Sequence, residues 1–314
     1  MGPRKNVVRR KQSAADTPIW KEALCGMELL LLHASPVCYG FGVPHGDNSA
    51  VIVIPGFLGS DHYLTQLYSW LERIGYRPYR SGIGLNVGCP NLLIREHLNR
   101  TIDRALDETG CRVNIIGHSL GGVIARSLAS QRADDVASII TLASPFRGTI
   151  LHGTVLRAAE AVRKYILKEQ GSKVMPDCYT ARCTCDFLNH LRCEVPSSVL
   201  RTALYTRDDG ITDWRYCTSG DCAIDFEVPG THIGLVFNSS AYTVIANRLA
   251  EAYSRRHFQC VERPGRHARN GSHTGNGKHA GNGKNGCCPK ASHGDRRAGT
   301  QAQPQLVQLI TRGA

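Results

Sequence analysis

Ser119 has the sequence surroundings of a nucleophile held on a sharp turn. It lies in the pattern G-x-S-x-G, with Gly117 and Gly121 two positions to either side. A strand-to-helix turn of this kind brings the two glycines together and forces the serine into a strained backbone conformation. Residues 112–116 predict the strand and residues 123–130 the helix. The pattern therefore indicates nucleophilic chemistry at Ser119 rather than a glycine-rich turn.

A serine nucleophile needs a base to take its proton and a carboxylate to orient that base. Candidate acids follow the predicted strand 199–205, and they are Asp208, Asp209 and Asp213. His232 follows the predicted strand 223–228 and is the candidate base. His118, beside the serine, is interpreted as a packing or hydrogen-bonding residue of the elbow instead of a second base. The remaining histidines of the folded domain are interpreted as ordinary surface or core residues: His62, His97 and His190.

The elements that would position these residues alternate between strands and helices. Apolar and β-branched runs predict strands at 50–54, 76–79, 112–116, 136–142, 199–205 and 223–228. Helical spacing predicts helices at 19–33, 61–74, 91–109, 123–130 and 239–255, with a short strand or turn at 34–42. This alternation predicts an α/β fold with a mainly parallel sheet flanked by helices. Working residues are then expected beyond the carboxyl ends of the strands.

Three segments are predicted around and within this domain. Residues 1–17 form a basic N-terminal tail, residues 18–260 the folded domain, and residues 261–314 a low-complexity tail rich in Gly, Asn, His and Lys that cannot bury a core. About fifty residues separate two of the predicted strands, and a connection this long predicts an inserted cap or lid at about 149–198.

The formal charge of +12 does not indicate a nucleic-acid partner. Residues 1–17 carry five basic residues against one acidic, and residues 261–314 carry nine against two. The region between them is left with a charge of +1, whereas a nucleic-acid-binding domain concentrates basic residues on its body.

The N-terminal sequence is a poor match to a signal peptide, because Asp16 and Glu28 interrupt its basic and apolar stretches. We therefore expect a cytoplasmic protein, with export as the alternative. The chain has no run of ~18 apolar residues that would span a membrane. Residues 19–32 could instead form an amphipathic helix that rests on a lipid surface, so peripheral membrane contact is a further expectation.

The thirteen cysteines include a cluster whose spacing matches no standard zinc site: Cys178, Cys183, Cys185 and Cys193. We expect structural thiols or a bridge within the lid here, ahead of a metal site. Cys217 and Cys222 bracket a turn and could pair in an oxidising compartment. The count is odd, so at least one thiol lies outside any intramolecular bridge.

Over residues 20–255 the chain resembles the α/β-hydrolases of the bacterial lipase and esterase type. The matching motifs are Pro55-Gly56-Phe57-Leu58-Gly59, Gly117 to Gly121, Asp208-Asp209-Gly210 and Thr231-His232-Ile233-Gly234. The chain departs from the family at the first motif, where lipases commonly have His-Gly and this sequence has Pro55-Gly56. The departure leaves the site assignment intact, because the oxyanion donor there is a backbone N–H.

The resemblance implies a role for each site residue. In the family the acid usually precedes a glycine, which points to Asp209 as the partner of His232 and Ser119. It also implies that the Phe57 N–H is one oxyanion donor. The second donor is expected to be the Leu120 N–H, which follows the nucleophile at the positive end of a helix.

The expected reaction is hydrolysis of a carboxylic ester, with a small-molecule or lipid ester as substrate and no obligate protein partner. This chemistry needs no cofactor and no metal. Two alternatives remain from the sequence alone. The same residues could transfer the acyl group to an alcohol or amine, or the chain could be a non-catalytic binding protein of the same fold.

Overall fold

A computed structural model describes residues 17–148, 152–170 and 185–261. The sheet in this part of the chain consists of β1 (Ala50–Ile54), β2 (Arg77–Arg80), β3 (Val113–His118), β4 (Val136–Leu142), β5 (Leu200–Tyr205) and β6 (Asp225–Glu227). Their order is β2-β1-β3-β4-β5-β6, and every neighbouring pair is parallel. The predicted α/β class with a mainly parallel sheet is confirmed.

Helices cover both faces of the sheet. They are α1 (Cys25–Ala34), α2 (Thr65–Arg73), α3 (Pro90–Leu93), α4 (Asn99–Thr109), α5 (Leu120–Gln131), α6 (Gly153–Gln170), α7 (Asp186–Arg192) and α8 (Ser239–Val261). The described ranges also contain four short 3-10 helices, Ile19–Leu24, Pro36–Tyr39, Trp214–Tyr216 and Gly234–Phe237, and one π-helical turn, Ile94–Leu98. None of the helices in the described ranges is both long enough and apolar enough to cross a bilayer.

Strand β1 shows how the sheet is buried on both faces. Ile52 and Ile54 belong to the apolar layer formed with α4, α5 and α7, while Val51 and Val53 belong to the layer formed with α2 and α8. Side chains alternate between the faces of a strand, so a continuous β-branched run satisfies both layers at once. The buried sheet supports the candidate site, which lies at the carboxyl ends of its strands.

Some elements differ from the sequence expectations. Residues 61–64 form a turn instead of the first turn of a helix, because the Asp61 carboxylate accepts hydrogen bonds from the Tyr68 and Ser81 hydroxyls and from backbone N–H groups. A 3-10 helix begins at Pro36, where a short strand or turn was expected, and the Ser35 side chain caps it. Helix α8 runs past the expected residue 255 to Val261.

The predicted cap region contains two helices that pack differently. Helix α7 was not predicted, and it packs on α5 through buried Phe187, Leu188 and Leu191. Helix α6 contributes Ile166 to a small apolar cluster with Cys89 and Leu92. Residues 149–151 and 171–184 lie outside the described residues, as do Cys178, Cys183 and the tails 1–16 and 262–314. A lid, a bridge within it and disordered tails stay predictions.

Candidate active site

Ser119 lies on the turn between β3 and α5. Its backbone has φ 52° and ψ −121°, a conformation that non-glycine residues rarely adopt. Strand β3 ends at His118 and α5 begins at Leu120, so Ser119 alone forms the turn between them. The side chain is half-buried at the carboxyl end of a central strand. Strain of this kind is typical of a nucleophile elbow.

The two flanking glycines are required by close backbone contacts. A Cβ on Gly117 would lie 2.4 Å from the Gly122 nitrogen, and one on Gly121 would lie 2.2 Å from the carbonyl oxygen of Ile54. Both contacts are with backbone atoms, which cannot rotate away. A larger residue at either position would therefore push α5 off the sheet.

We expect Gly121→Ala to destabilise the protein without touching a candidate catalytic side chain. Overpacking of this kind costs about 1–3 kcal/mol, and each kcal/mol lowers the Tm of a domain of this size by about 2–4 °C. Gly26→Ala is the control, because a Cβ there meets no atom within 4 Å and Ala favours a helix. Thermal unfolding of both variants measures the difference, and equal Tm values would contradict the close packing at the elbow.

Asp209 lies in the loop after β5, and its carboxylate is buried. Its Oδ1 atom accepts hydrogen bonds from the Ile211 N–H (2.8 Å) and the Thr212 N–H (2.7 Å), and its Oδ2 atom accepts one from the Thr212 hydroxyl at 2.9 Å. Burial alone would raise the pKa of Asp209, but the charge and hydrogen bond of His232 and these N–H groups outweigh it. The pKa is lowered, so the side chain is a carboxylate at neutral pH.

His232 is the partner of this carboxylate. Its Nδ1 atom lies 2.7 Å from Oδ2 of Asp209, and both side chains are almost fully buried. Burial lowers the pKa of His232, yet the charge and hydrogen bond of Asp209 and the charge of Glu22 more than offset this, so the pKa is raised. Since Nδ1 is held by the carboxylate, Nε2 is the ring nitrogen left for proton transfer.

The other two candidate acids have different partners. Asp208 is exposed and forms a salt bridge with Lys21 at 2.5 Å. Asp213 caps the 3-10 helix Trp214–Tyr216 through the Arg215 N–H. Neither forms a hydrogen bond with His232 in the described part of the chain, so the geometry favours Asp209.

The serine is close to the histidine loop but is not bonded to it. Within the described ranges, no hydrogen bond joins the Ser119 hydroxyl to His232. His118, the residue before the serine, packs edge-on against the His232 ring with 5.1 Å between ring centroids. Its Nε2 atom also lies 2.9 Å from the His232 carbonyl oxygen. Catalytic hydrogen bonds are often long without substrate, so the arrangement is compatible with a triad.

His118 connects the elbow to the loop that follows β1. Its Nε2–H donates to the His232 carbonyl, so Nδ1 accepts from the Tyr63 hydroxyl at 2.8 Å, and that hydroxyl accepts from the Gly56 N–H at 2.8 Å. Burial and the neighbouring His232 lower the pKa of His118 to about 3, which keeps its ring neutral. His118 thus acts as a structural link, in agreement with its interpretation as a hydrogen-bonding residue of the elbow.

The expected oxyanion donors both lie beside the serine. Helix α5 begins at Leu120, and a Cβ on Gly56, the residue before Phe57, would lie 3.0 Å from the Ser119 Cβ. Neither the Phe57 N–H nor the Leu120 N–H donates a hydrogen bond to another residue of the described ranges. Free N–H groups next to a serine can receive a developing negative charge.

Two residues that the sequence analysis did not assign to the site contact the histidine loop. Glu22 is buried and accepts hydrogen bonds from the Gly210 N–H (2.8 Å), the His232 N–H (3.0 Å) and the Ile233 N–H (2.8 Å). Glu28 accepts from the Thr231 N–H at 2.8 Å and from its hydroxyl at 2.6 Å. The only sequence signal for these contacts was the presence of acids in a largely apolar segment, because a buried acid needs a partner.

No group of three or more His, Cys, Asp or Glu side chains suited to a metal ion occurs within the described ranges. Cys217 and Cys222 carry free thiols, so the pairing that an oxidising compartment would allow is not formed here. Burial and the nearby Asp209 charge raise the pKa of the Cys217 thiol well above its usual range, which leaves it unreactive.

Comparisons with known proteins agree with this fold. The family described as "PGAP1-like alpha/beta domain" matches residues 93–180, a range that contains Ser119. A triacylglycerol lipase of Burkholderia plantarii is 31% identical over 153 residues, which cover 45% of this chain and 42% of that lipase. Together with the parallel sheet, these matches support an assignment of the chain to the α/β-hydrolase superfamily.

The solved structures that the chain matches include two monoacylglycerol lipases. The monoacylglycerol lipase of Paleococcus ferrophilus is 13% identical, with a TM-score of 0.45, over 67% of this chain and 97% of that one. A soluble variant of the monoglyceride lipase of Saccharomyces cerevisiae is 16% identical, with a TM-score of 0.46, over 67% of this chain and 90% of that one.

Proposed function

We propose that the protein is a serine hydrolase that cleaves carboxylic esters through an acyl-enzyme. The observation that carries this proposal is the buried contact of 2.7 Å between Asp209 and His232, next to the strained turn that presents Ser119. A buried carboxylate that orients a histidine close to a serine is the arrangement that activates a hydroxyl for attack.

In the proposed reaction, the Ser119 hydroxyl attacks the ester carbonyl while Nε2 of His232 takes its proton. The negative charge that develops on the carbonyl oxygen is stabilised by the Phe57 and Leu120 N–H groups. His232 then gives the proton to the leaving alcohol, and the acyl group remains on Ser119. Water repeats the sequence with His232 as base, which releases the carboxylic acid and restores the serine.

Exposed leucines near the serine support an acyl-chain substrate. Leu58 and Leu85 are each about half exposed, and they lie in two loops joined by hydrogen bonds from Leu58 N–H to Asn86 (3.1 Å) and from Asn86 N–H to Gly59 (2.7 Å). The first of these loops contacts Ser119 through Gly56. The curated match to a triacylglycerol lipase supports the same substrate class.

A panel of p-nitrophenyl esters from acetate to palmitate tests this function. We expect hydrolysis that depends on Ser119 and a kcat/KM that rises with the length of the acyl chain over part of the panel. Acyl transfer is the second candidate, and product analysis with an added acceptor alcohol separates it from hydrolysis. The absence of turnover and of acyl-enzyme formation on every ester would contradict both.

We also propose that the N-terminal helices rest on an anionic lipid surface. Five apolar side chains of this segment are at least half exposed, namely Trp20, Leu24, Met27, Leu30 and Leu31. Its charged side chains face elsewhere, since Glu22 and Glu28 bind backbone N–H groups and Lys21 pairs with Asp208. Residues 1–16 directly precede this uncharged face with five basic residues and one acidic, a charge that complements acidic lipid headgroups.

Leu24→Glu combined with Leu31→Glu should therefore weaken vesicle binding strongly. The measurement is co-sedimentation with vesicles of equal parts phosphatidylcholine and phosphatidylserine, compared with phosphatidylcholine alone. Asn247→Glu combined with Ser254→Glu is the matched control, because it adds the same charge on exposed positions of α8. Unchanged vesicle binding, or loss of a dimer in size-exclusion chromatography instead, would show that the face serves a protein contact.

A further inference from the structure

We infer that Glu22 is a positioning residue that holds the base His232 and the acid Asp209 at their working distance. The inference rests on the proposed function, since it concerns the same acid and base. The Glu22 carboxylate accepts N–H groups from two separate loops: Gly210 directly follows Asp209, while His232 and Ile233 are in the histidine loop. One buried side chain therefore joins the backbones that carry both members of the acid–base pair.

Both carboxylate oxygens of Glu22 accept hydrogen bonds from these loops. Three N–H groups meet the two oxygens of Glu22 at 2.8–3.0 Å, and the side chain is only 7% exposed. Charge-assisted hydrogen bonds to a carboxylate are roughly twice as strong as neutral ones. This close approach is possible because residue 210 is a glycine. A Cβ at this position would lie 2.8 Å from Oε1 of Glu22. An acid at this position thus fixes the distance between the two loops.

Neighbouring contacts from the same segment reach one loop each. Lys21 pairs with Asp208, and the Thr17 hydroxyl donates to the Gly210 carbonyl at 2.8 Å. Glu28 binds Thr231, and a Cβ on Gly234 would lie 1.5 Å from its Oε2 atom. These contacts reach the loops but not the N–H of His232 itself. Among the described residues of this N-terminal segment, Glu22 alone bonds to both the acid loop and the His232 N–H.

The charge of Glu22 also acts on the base. The charged or titratable groups around His232 are Asp209 in the acid loop, Glu22 in the first 3-10 helix, Glu28 behind Thr231, and His118, which is neutral because its pKa is about 3. Removing the Glu22 charge removes one cause of the raised pKa of His232. The acidic limb of the rate profile, where His232 becomes protonated, should then move to lower pH.

Glu22→Gln tests this inference, because the amide keeps the shape but loses the charge and turns an N–H₂ group toward the loops. We measure the second-order rate constant for fluorophosphonate labelling of Ser119 as a function of pH. This rate constant is independent of the folded fraction when folded and unfolded protein do not interconvert during labelling. We expect a fall of about 10²-fold, the usual effect of a small misplacement of reacting groups, together with an acidic limb shifted to lower pH. The KM for a short soluble ester should change little.

Glu28→Gln is the matched control, and it should leave the acidic limb in place with a smaller loss of rate. If Glu22→Gln does not fold, Glu22→Asp keeps the charge but shortens its reach, and a lowered labelling rate with an unshifted limb is then expected. Wild-type rate and wild-type pH profile in a folded Glu22 variant would overturn the inference while leaving the hydrolase intact. A wild-type protein that neither labels nor hydrolyses esters would instead overturn the proposed function itself.

Discussion

Ser119→Ala should abolish ester hydrolysis and fluorophosphonate labelling while leaving the fold unchanged. Loss of the nucleophile in a serine hydrolase lowers kcat by about 10⁶-fold, because the remaining groups stabilise charge but form no acyl-enzyme. The backbone strain at φ 52° is the same for alanine as for serine, so stability should not suffer. Turnover of p-nitrophenyl butyrate, active-site labelling and thermal unfolding measure the three parts of this expectation.

Wild-type protein treated with the probe serves as the reference, and mass spectrometry of the labelled peptide locates the modified residue. Labelling that persists at a different serine in Ser119→Ala would contradict the assignment. Ser119 lies on a tight turn, because the backbone packs so closely around both flanking glycines that neither position has room for a Cβ. That local geometry is the reason for naming a single nucleophile.

Asp209→Asn should lower kcat by about 10⁴-fold, whereas Asp208→Asn should leave it nearly unchanged. The amide at position 209 cannot hold the Nδ1–H tautomer of His232, so Nε2 is no longer free to take the serine proton. Asp208 is exposed and contacts Lys21 instead of His232. Burst kinetics on a short-chain ester compare the two isosteric variants.

Near-UV circular dichroism provides the control for folding in both variants, since Asp209 also binds the Ile211 and Thr212 N–H groups. Burial raises the pKa of Asp209, but the charge and hydrogen bond of His232, together with these N–H groups, outweigh it and lower the pKa. The carboxylate therefore contributes stability above the unfolded pKa that is lost as pH falls through the folded one. Asparagine should therefore also flatten the acid unfolding of the protein. The reverse ranking of the two variants in kcat would move the acid to position 208.

The strands and the elbow could be predicted because their signals are local. The run 50–54 is an alanine followed by four β-branched residues, and β1 has these bounds in the structure. The G-x-S-x-G pattern around Ser119 likewise lies within five consecutive residues. Helix α7 was missed because seven residues are too few to show a helical period, and its burial depends on α5.

The choice among the three aspartates could not be made from spacing. Asp208, Asp209 and Asp213 all follow the same strand, and only the resemblance to a family pointed to one of them. The structure distinguishes these three acids, because among them Asp209 alone forms a hydrogen bond with Nδ1 of His232. The role of Glu22 was still further from prediction, since its partners are Gly210, His232 and Ile233, between 188 and 211 positions away in sequence.

This separation has a consequence for how the protein reaches its native state. The segment with Glu22 leaves the ribosome first, but its partners are made only after the chain has grown past position 233. Closing a loop of that length carries an entropic cost that grows slowly with length, and contacts between distant positions form late in folding. We therefore expect the acid–base pair to assemble late, when the N-terminal segment meets the two loops. Until the chain has grown past position 233, Ser119 has no histidine loop beside it.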